Sequence, residues 1–138
     1  MWGRRDEGVR WLIRWGPALG LMASIFWFSH QSQLFVFPES WLDLAVKKLG
    51  HATGYFLLAM AYRWGLACQR PGGRRQALLA WGMALLYALS DEWHQTFVPG
   101  RNGNLVDVAV DGLGASLVFL AWPWLVARLG LSPRRWGC

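Results

Sequence analysis

Charge is scarce in this chain. Asp, Glu, Lys and Arg make up 16% of the 138 residues, against about 25% in an average soluble domain. That shortage argues against the ordinary water-facing surface of a soluble protein. Cysteine is scarcer still. Cys68 and Cys138 are the only two, and no disulfide framework is visible in them. A small-residue cleavage site is missing after the first apolar run, so the N-terminal stretch is expected to stay as a helix instead of leaving as a signal peptide. There is no HExxH metal motif, no Gly-rich phosphate loop and no Ser-His-Asp order. No internal repeats are visible either, which makes a transporter the weaker reading.

Apolar residues make up 54% of the chain, and Trp alone occurs 11 times. They gather in four blocks that read as helical spans at about 11–29, 49–68, 77–95 and 105–128. A helix rises ~1.5 Å per residue, so about 20 residues cross a hydrocarbon core ~30 Å thick. The third block reaches that length only if it includes Asp91 to Gln95. "QRPGGRR" and "FVPGRNGN" break the pattern between blocks. Between the first two spans, "QLFVFPESWLDLAV" is amphipathic, and too short and too charged to cross. It reads as interfacial or re-entrant. The expectation is an all-α, integral membrane four-helix bundle, one domain over residues 1–138.

The formal charge of +6 fits nucleic acid or a membrane surface. No folded segment remains to serve as a nucleic-acid module, so topology is the better account. Arg4, Arg5, Arg10 and Arg14 precede or open the first span. Arg70, Arg74 and Arg75 lie between the second and third, and Arg128, Arg134 and Arg135 close the chain. The opposite side has only Lys47, Lys48 and Arg101. Positive residues stay inside, so both termini are expected in the cytoplasm, with both cysteines on the reducing side. Arg63, within the second span, would snorkel to that side.

The polar residues then sort to one leaflet. Ser29, His30, Lys48, His51, Asp91, Glu92, His94, Gln95, Arg101, Asp107 and Asp111 all fall at outer helix ends or in outer loops. Lys48 and His51 share a helix face. So do Asp91, His94 and Gln95, with Glu92 at its edge, and Asp107, Asp111 and Gly114 form a third stripe. Ionisable groups at membrane depth mark functional sites by default, although an ion-pair network holding the helices together is the plainer alternative. His51 and His94 suit a base or nucleophile. Asp91, Glu92 and Asp107 could orient the histidines or hold a metal. Asp91, His94, Asp107 and Asp111 also admit a divalent metal by ligand type, though no cofactor is specified. Lys48 and Arg101 suit a phosphate, with Ser29, Gln95 and Asp111 beside them in the substrate-binding set.

"KLGH" with Tyr55, followed by "SDEWHQTFVPGRNGNLVDVAVDGLGA", closely resembles the VanZ-like family. The matching positions are Lys48, His51, Asp91, Glu92, His94, Gln95, Pro99, Gly100, Arg101, Asp107 and Gly114, with Ser29 in "FSHQS". Asp111 falls where many members carry Asn. The resemblance implies a small bacterial membrane protein, in a family named after a member linked to teicoplanin resistance. Two functions remain open. One is an enzyme at the outer face of the bacterial cytoplasmic membrane, a hydrolase or transferase acting on an anionic phospholipid or polyprenyl-phosphate-type substrate. The other is a non-catalytic pocket for a lipoglycopeptide or a lipid-linked cell-wall precursor.

Overall fold

The computed structural model describes residues 3–31, 40–67 and 73–130. Among these residues every regular element is a helix. They are α1 (Gly3–Ser29), α2 (Ser40–Ala67), α3 (Arg74–Gln95), α4 (Leu105–Ser116) and α5 (Val118–Leu129). Cys68, Cys138, Arg70 and the last two arginines lie outside the described residues, as does the 32–39 part of the expected re-entrant segment.

Two expectations about the elements change. The end of the amphipathic segment is not separate from the second span, because α2 begins at Ser40 and runs unbroken to Ala67. Asp43 in its first turn favours the helix N-terminus and pairs with Lys47 one turn on, at 2.5 Å. The fourth span is two helices. They meet at Leu117, whose N–H reaches back three residues to Gly114 at 3.1 Å. Ser116 Oγ competes for the helix backbone by donating to the Leu113 carbonyl at 2.6 Å, a habit of Ser that bends helices.

Among the described residues one stretch, Leu105–Leu129, is long and apolar enough to cross a membrane by length and composition. Among the described residues several charged and polar side chains are buried while large apolar ones face outward. Ser29, Arg63, Asp91, Glu92, Gln95 and Asp111 are buried, while Leu86 and Leu120 are 68% and 74% exposed and Trp27, Trp93 and Trp124 also face outward. Charged side chains are almost never buried in soluble domains unless paired.

α2 is the central helix and packs against each of the others. Small residues bring the helices close. α3 buries Ala77, Ala80, Ala84 and Ala88 along one stripe. Gly114 of α4 lies so near α2 that a Cβ built on it would sit 2.2 Å from the Ala52 carbonyl oxygen. Tyr55, Leu58, Val108 and Val118 fill the middle of the core.

At the end opposite the polar cluster, Arg14 Nε donates to the Gly65 carbonyl at 3.1 Å and Gln76 Nε2 to that of Leu66 at 3.3 Å. These bonds satisfy carbonyls that the last turn of α2 leaves open. Arg63 does not simply reach for the surface. It is buried, donates to Gln76 Oε1 at 2.5 Å, and lies 4.7 Å from the centre of the Trp122 ring, so it ties α2 to α3 and α5.

Candidate functional site

The turn after α3 sets the site's rim. Val98 to Arg101 closes with an Arg101 N–H to Val98 carbonyl bond of 3.0 Å, and Gly100 takes φ 80°. A left-handed residue after Pro suits a type II turn, and glycine supplies it without strain. The turn aims Arg101 back at the end of α1. Its Nε donates to the Gln31 carbonyl and one terminal nitrogen to that of Phe28, both at 3.1 Å. Arg101 therefore caps the C-terminal end of α1 while also lining the pocket described below.

Glu92 anchors the start of α4. Its Oε2 accepts the Asn104 backbone N–H at 2.8 Å, and the Asn104 side chain accepts from the Val106 N–H at 2.8 Å as N-cap. Its other oxygen accepts from Gln95 Nε2 at 3.2 Å. The same Gln95 nitrogen lies 3.2 Å from Asp91 Oδ2, which also accepts from Ser29 Oγ at 2.6 Å. Asp91 Oδ1 accepts nothing from the described residues, although the residue is only 3% exposed. The same holds for both oxygens of Asp111, 1% exposed, and for His51 Nδ1. His51 Nδ1 and Asp111 Oδ2 are 3.7 Å apart, too far for a hydrogen bond. One ligand atom each from His51, Asp91 and Glu92 lies within 4.8 Å of the others.

Lys48 forms an ion pair with Asp107, both about one-third exposed. With His51, Glu92, Arg101 and Asp111 they line a polar pocket of about 90 Å³ between α2, α3 and α4. A second, apolar crevice of about 730 Å³ runs between α1 and α2, walled by Leu21, Ile25, Phe28, Leu49 and Leu57. Lys47, His51 and Arg101 line both spaces.

Of the sequence candidates, Ser29, Lys48, His51, Asp91, Glu92, Gln95, Arg101, Asp107 and Asp111 gather around this pocket or its wall. His94 goes elsewhere. Its ring is 4.5 Å from that of Phe26, and its Nε2 is 3.4 Å from His30 Nδ1. The inward face of α3 is Asp91, Glu92 and Gln95, all buried, and His94 turns toward Phe26 of α1 and His30 just after it. The metal set read from the sequence around His94 and Asp107 accordingly differs from the group that converges. Asn104 was not singled out by sequence, although an Asn directly before an apolar run is an N-cap signal.

A family model described as VanZ/LLP1 matches residues 15–126. Searches of curated proteins and of solved structures find no match.

Proposed function

Because the chain belongs to the VanZ/LLP1 family of membrane proteins, we propose that it is an enzyme of the bacterial cytoplasmic membrane acting on an anionic, phosphate-bearing lipid or lipid-linked envelope substrate. In this reading α1, α2, α3 and the α4–α5 pair all span as one four-helix domain, both termini face the cytoplasm, and the pocket faces outward. The inside-out burial pattern supports four spans, and the Arg bias supports the orientation. Labelling of single cysteines from outside whole cells should mark Gly103→Cys and spare Arg74→Cys. The reverse pattern would overturn the topology.

The observation that carries the function is that a small polar pocket and a large apolar crevice share Lys47, His51 and Arg101. A lipid needs such a pair of spaces, one for the head group and one for the chain, and the crevice volume lies within the usual range of ligand sites. Lys48 and Arg101 receive the phosphate. The Lys48–Asp107 pair, about one-third exposed, can open to do so, and Arg101 retains donors beyond the two nitrogens that hold α1. His51 serves as base or nucleophile in preference to His94, because it borders both spaces. Asp91, Glu92 and Gln95 hold the wall in register.

The alternative, a non-catalytic pocket for a lipoglycopeptide or cell-wall precursor, draws on the size of the apolar crevice. A binder tolerates His51→Gln, which keeps hydrogen bonding, whereas a catalyst does not. Wild type, His51→Gln and Arg101→Lys should be expressed in a teicoplanin-sensitive bacterium, with membrane levels, tolerance and lipid composition compared. The expected result is equal membrane levels, with the wild-type change in lipid composition and tolerance lost in His51→Gln and weakened in Arg101→Lys, since Lys cannot copy the guanidinium fork. Tolerance kept by His51→Gln, with no lipid change in any strain, would overturn the enzyme reading in favour of the binder.

A further inference from the structure

The outer end of the bundle carries more buried acid than its bases balance. Lys47 pairs with Asp43, Lys48 with Asp107, and Arg101 donates to the carbonyls of Phe28 and Gln31. Asp91, Glu92 and Asp111 are left beside a single imidazole, His51. Burying carboxyl groups this way is expensive unless each is paired, hydrogen-bonded or bound to a metal. Hydrogen bonds do not cover the shortfall, because Asp91 Oδ1, both Asp111 oxygens and His51 Nδ1 have no partner among the described residues.

We propose that His51, Asp91 and Glu92 bind one divalent first-row metal ion, Mn²⁺ or Zn²⁺, with Asp111 as an additional acid beside it. The three donors already lie within 4.8 Å of one another. Metal–ligand bonds are about 2.0–2.2 Å, so ligands at tetrahedral angles stand about 3.4 Å apart, and the donors have to draw together by up to about 1.4 Å. An imidazole with carboxylates suits these ions by ligand type.

The surrounding hydrogen bonds fit the same assignment. Asp91 holds one oxygen against Ser29 and Gln95 and leaves the other open. Glu92 is steered by Gln95 and the Asn104 backbone. Metal-binding carboxylates are held this way by outer partners, whose loss weakens affinity about 10–100-fold. On the reading above, the ion would lie at the pocket wall and help receive a phosphate, with His51 then serving as its ligand in place of the base or nucleophile. The site itself does not depend on that reading.

The test is metal content and thermal shift on purified full-length protein in detergent. The protein is stripped with EDTA and then dialysed against micromolar Mn²⁺ or Zn²⁺, with Mg²⁺ as control. Wild type should retain about one Mn²⁺ or Zn²⁺ per chain and melt at a higher temperature than the stripped form. His51→Gln and Asp91→Asn should lose the bound ion, and Ser29→Ala should bind about 10–100-fold more weakly. Glu7→Gln, at the far end of α1, should bind as wild type does. The melting temperature of each stripped variant reports folding separately. Wild type that retains no ion, or His51→Gln that retains as much as wild type, would overturn the site. Metal bound without any lipid change in cells would leave the site standing and count against the enzyme.

Discussion

Gly114→Ala should cost the protein most of its folded yield. The added methyl carbon would stand 2.2 Å from the Ala52 carbonyl oxygen and 2.8 Å from both its carbonyl carbon and its Cα. All three atoms are backbone, so no side chain can rotate away, and α2 must move off α4 along their shared face. Overpacking usually destabilises by about 1–3 kcal/mol, occasionally more, and an unyielding backbone puts this substitution at or above the top of that range. Gly82→Ala is the matched control. Nothing lies within 4 Å of a Cβ built there, and Ala is the better helix former by up to about 1 kcal/mol. Membrane yield and melting temperature in detergent decide the matter. A Gly114→Ala protein as stable as Gly82→Ala would mean that α2 and α4 are not in backbone contact.

Asp111→Asn should act in the opposite direction and raise the melting temperature of EDTA-stripped protein. Asp111 is 1% exposed, and neither of its oxygens accepts a hydrogen bond from a described residue. His51 Nδ1, 3.7 Å from its Oδ2, is unmatched as well. An amide of nearly the same shape removes a buried acid and adds two donors where acceptors stand idle. Leaving a buried polar group without a hydrogen bond costs about 1–3 kcal/mol, more for a charged one, and a gain in the lower half of that range is expected here because His51 is already near. Metal should narrow the difference, since the ion compensates the same acids. Binding of the ion should survive, as Asp111 lies outside the three proposed ligands. A fall in melting temperature in stripped Asp111→Asn would mean that the carboxyl group is well paired in the fold.

The helices were legible in the sequence because apolar blocks and Pro-Gly breakers are strong local signals. The clustering of polar residues at one end of the helices followed from their distance to the ends of those blocks. What the pattern missed was finer than the helical period. Asp91, Glu92 and Gln95 face inward together while His94 does not. Residues 91 and 94 are only about 60° apart around a helix, so spacing puts them on one face, and only the packing shows that Asp91 is buried while His94 lies at the edge of that face against Phe26 and His30. The continuity of α2 was hidden because Asp43, Lys47 and Lys48 look like loop composition until their pairings are known. The kink at Leu117 has no Pro or Gly of its own, and depends on a side-chain hydroxyl bonding one turn back. Arg101 looked like a free cation because its partners are backbone carbonyls seventy residues earlier, which no spacing rule connects to it.

The clasp between Arg101 and the end of α1 also orders events in time. Its shortest-lived precursor is a chain whose first helix is already made while residue 101 is not. The bond to Phe28 spans 73 positions, and at about 5–20 residues per second synthesis takes roughly 4 to 15 seconds to cover them. Ser29 waits almost as long for Asp91, 62 positions on. During that interval the carbonyls at the end of α1 lack Arg101. The pocket is thus among the last parts of the protein to exist. The first helix is made early, and its end becomes part of a site only when α3 and the turn after it arrive to claim it.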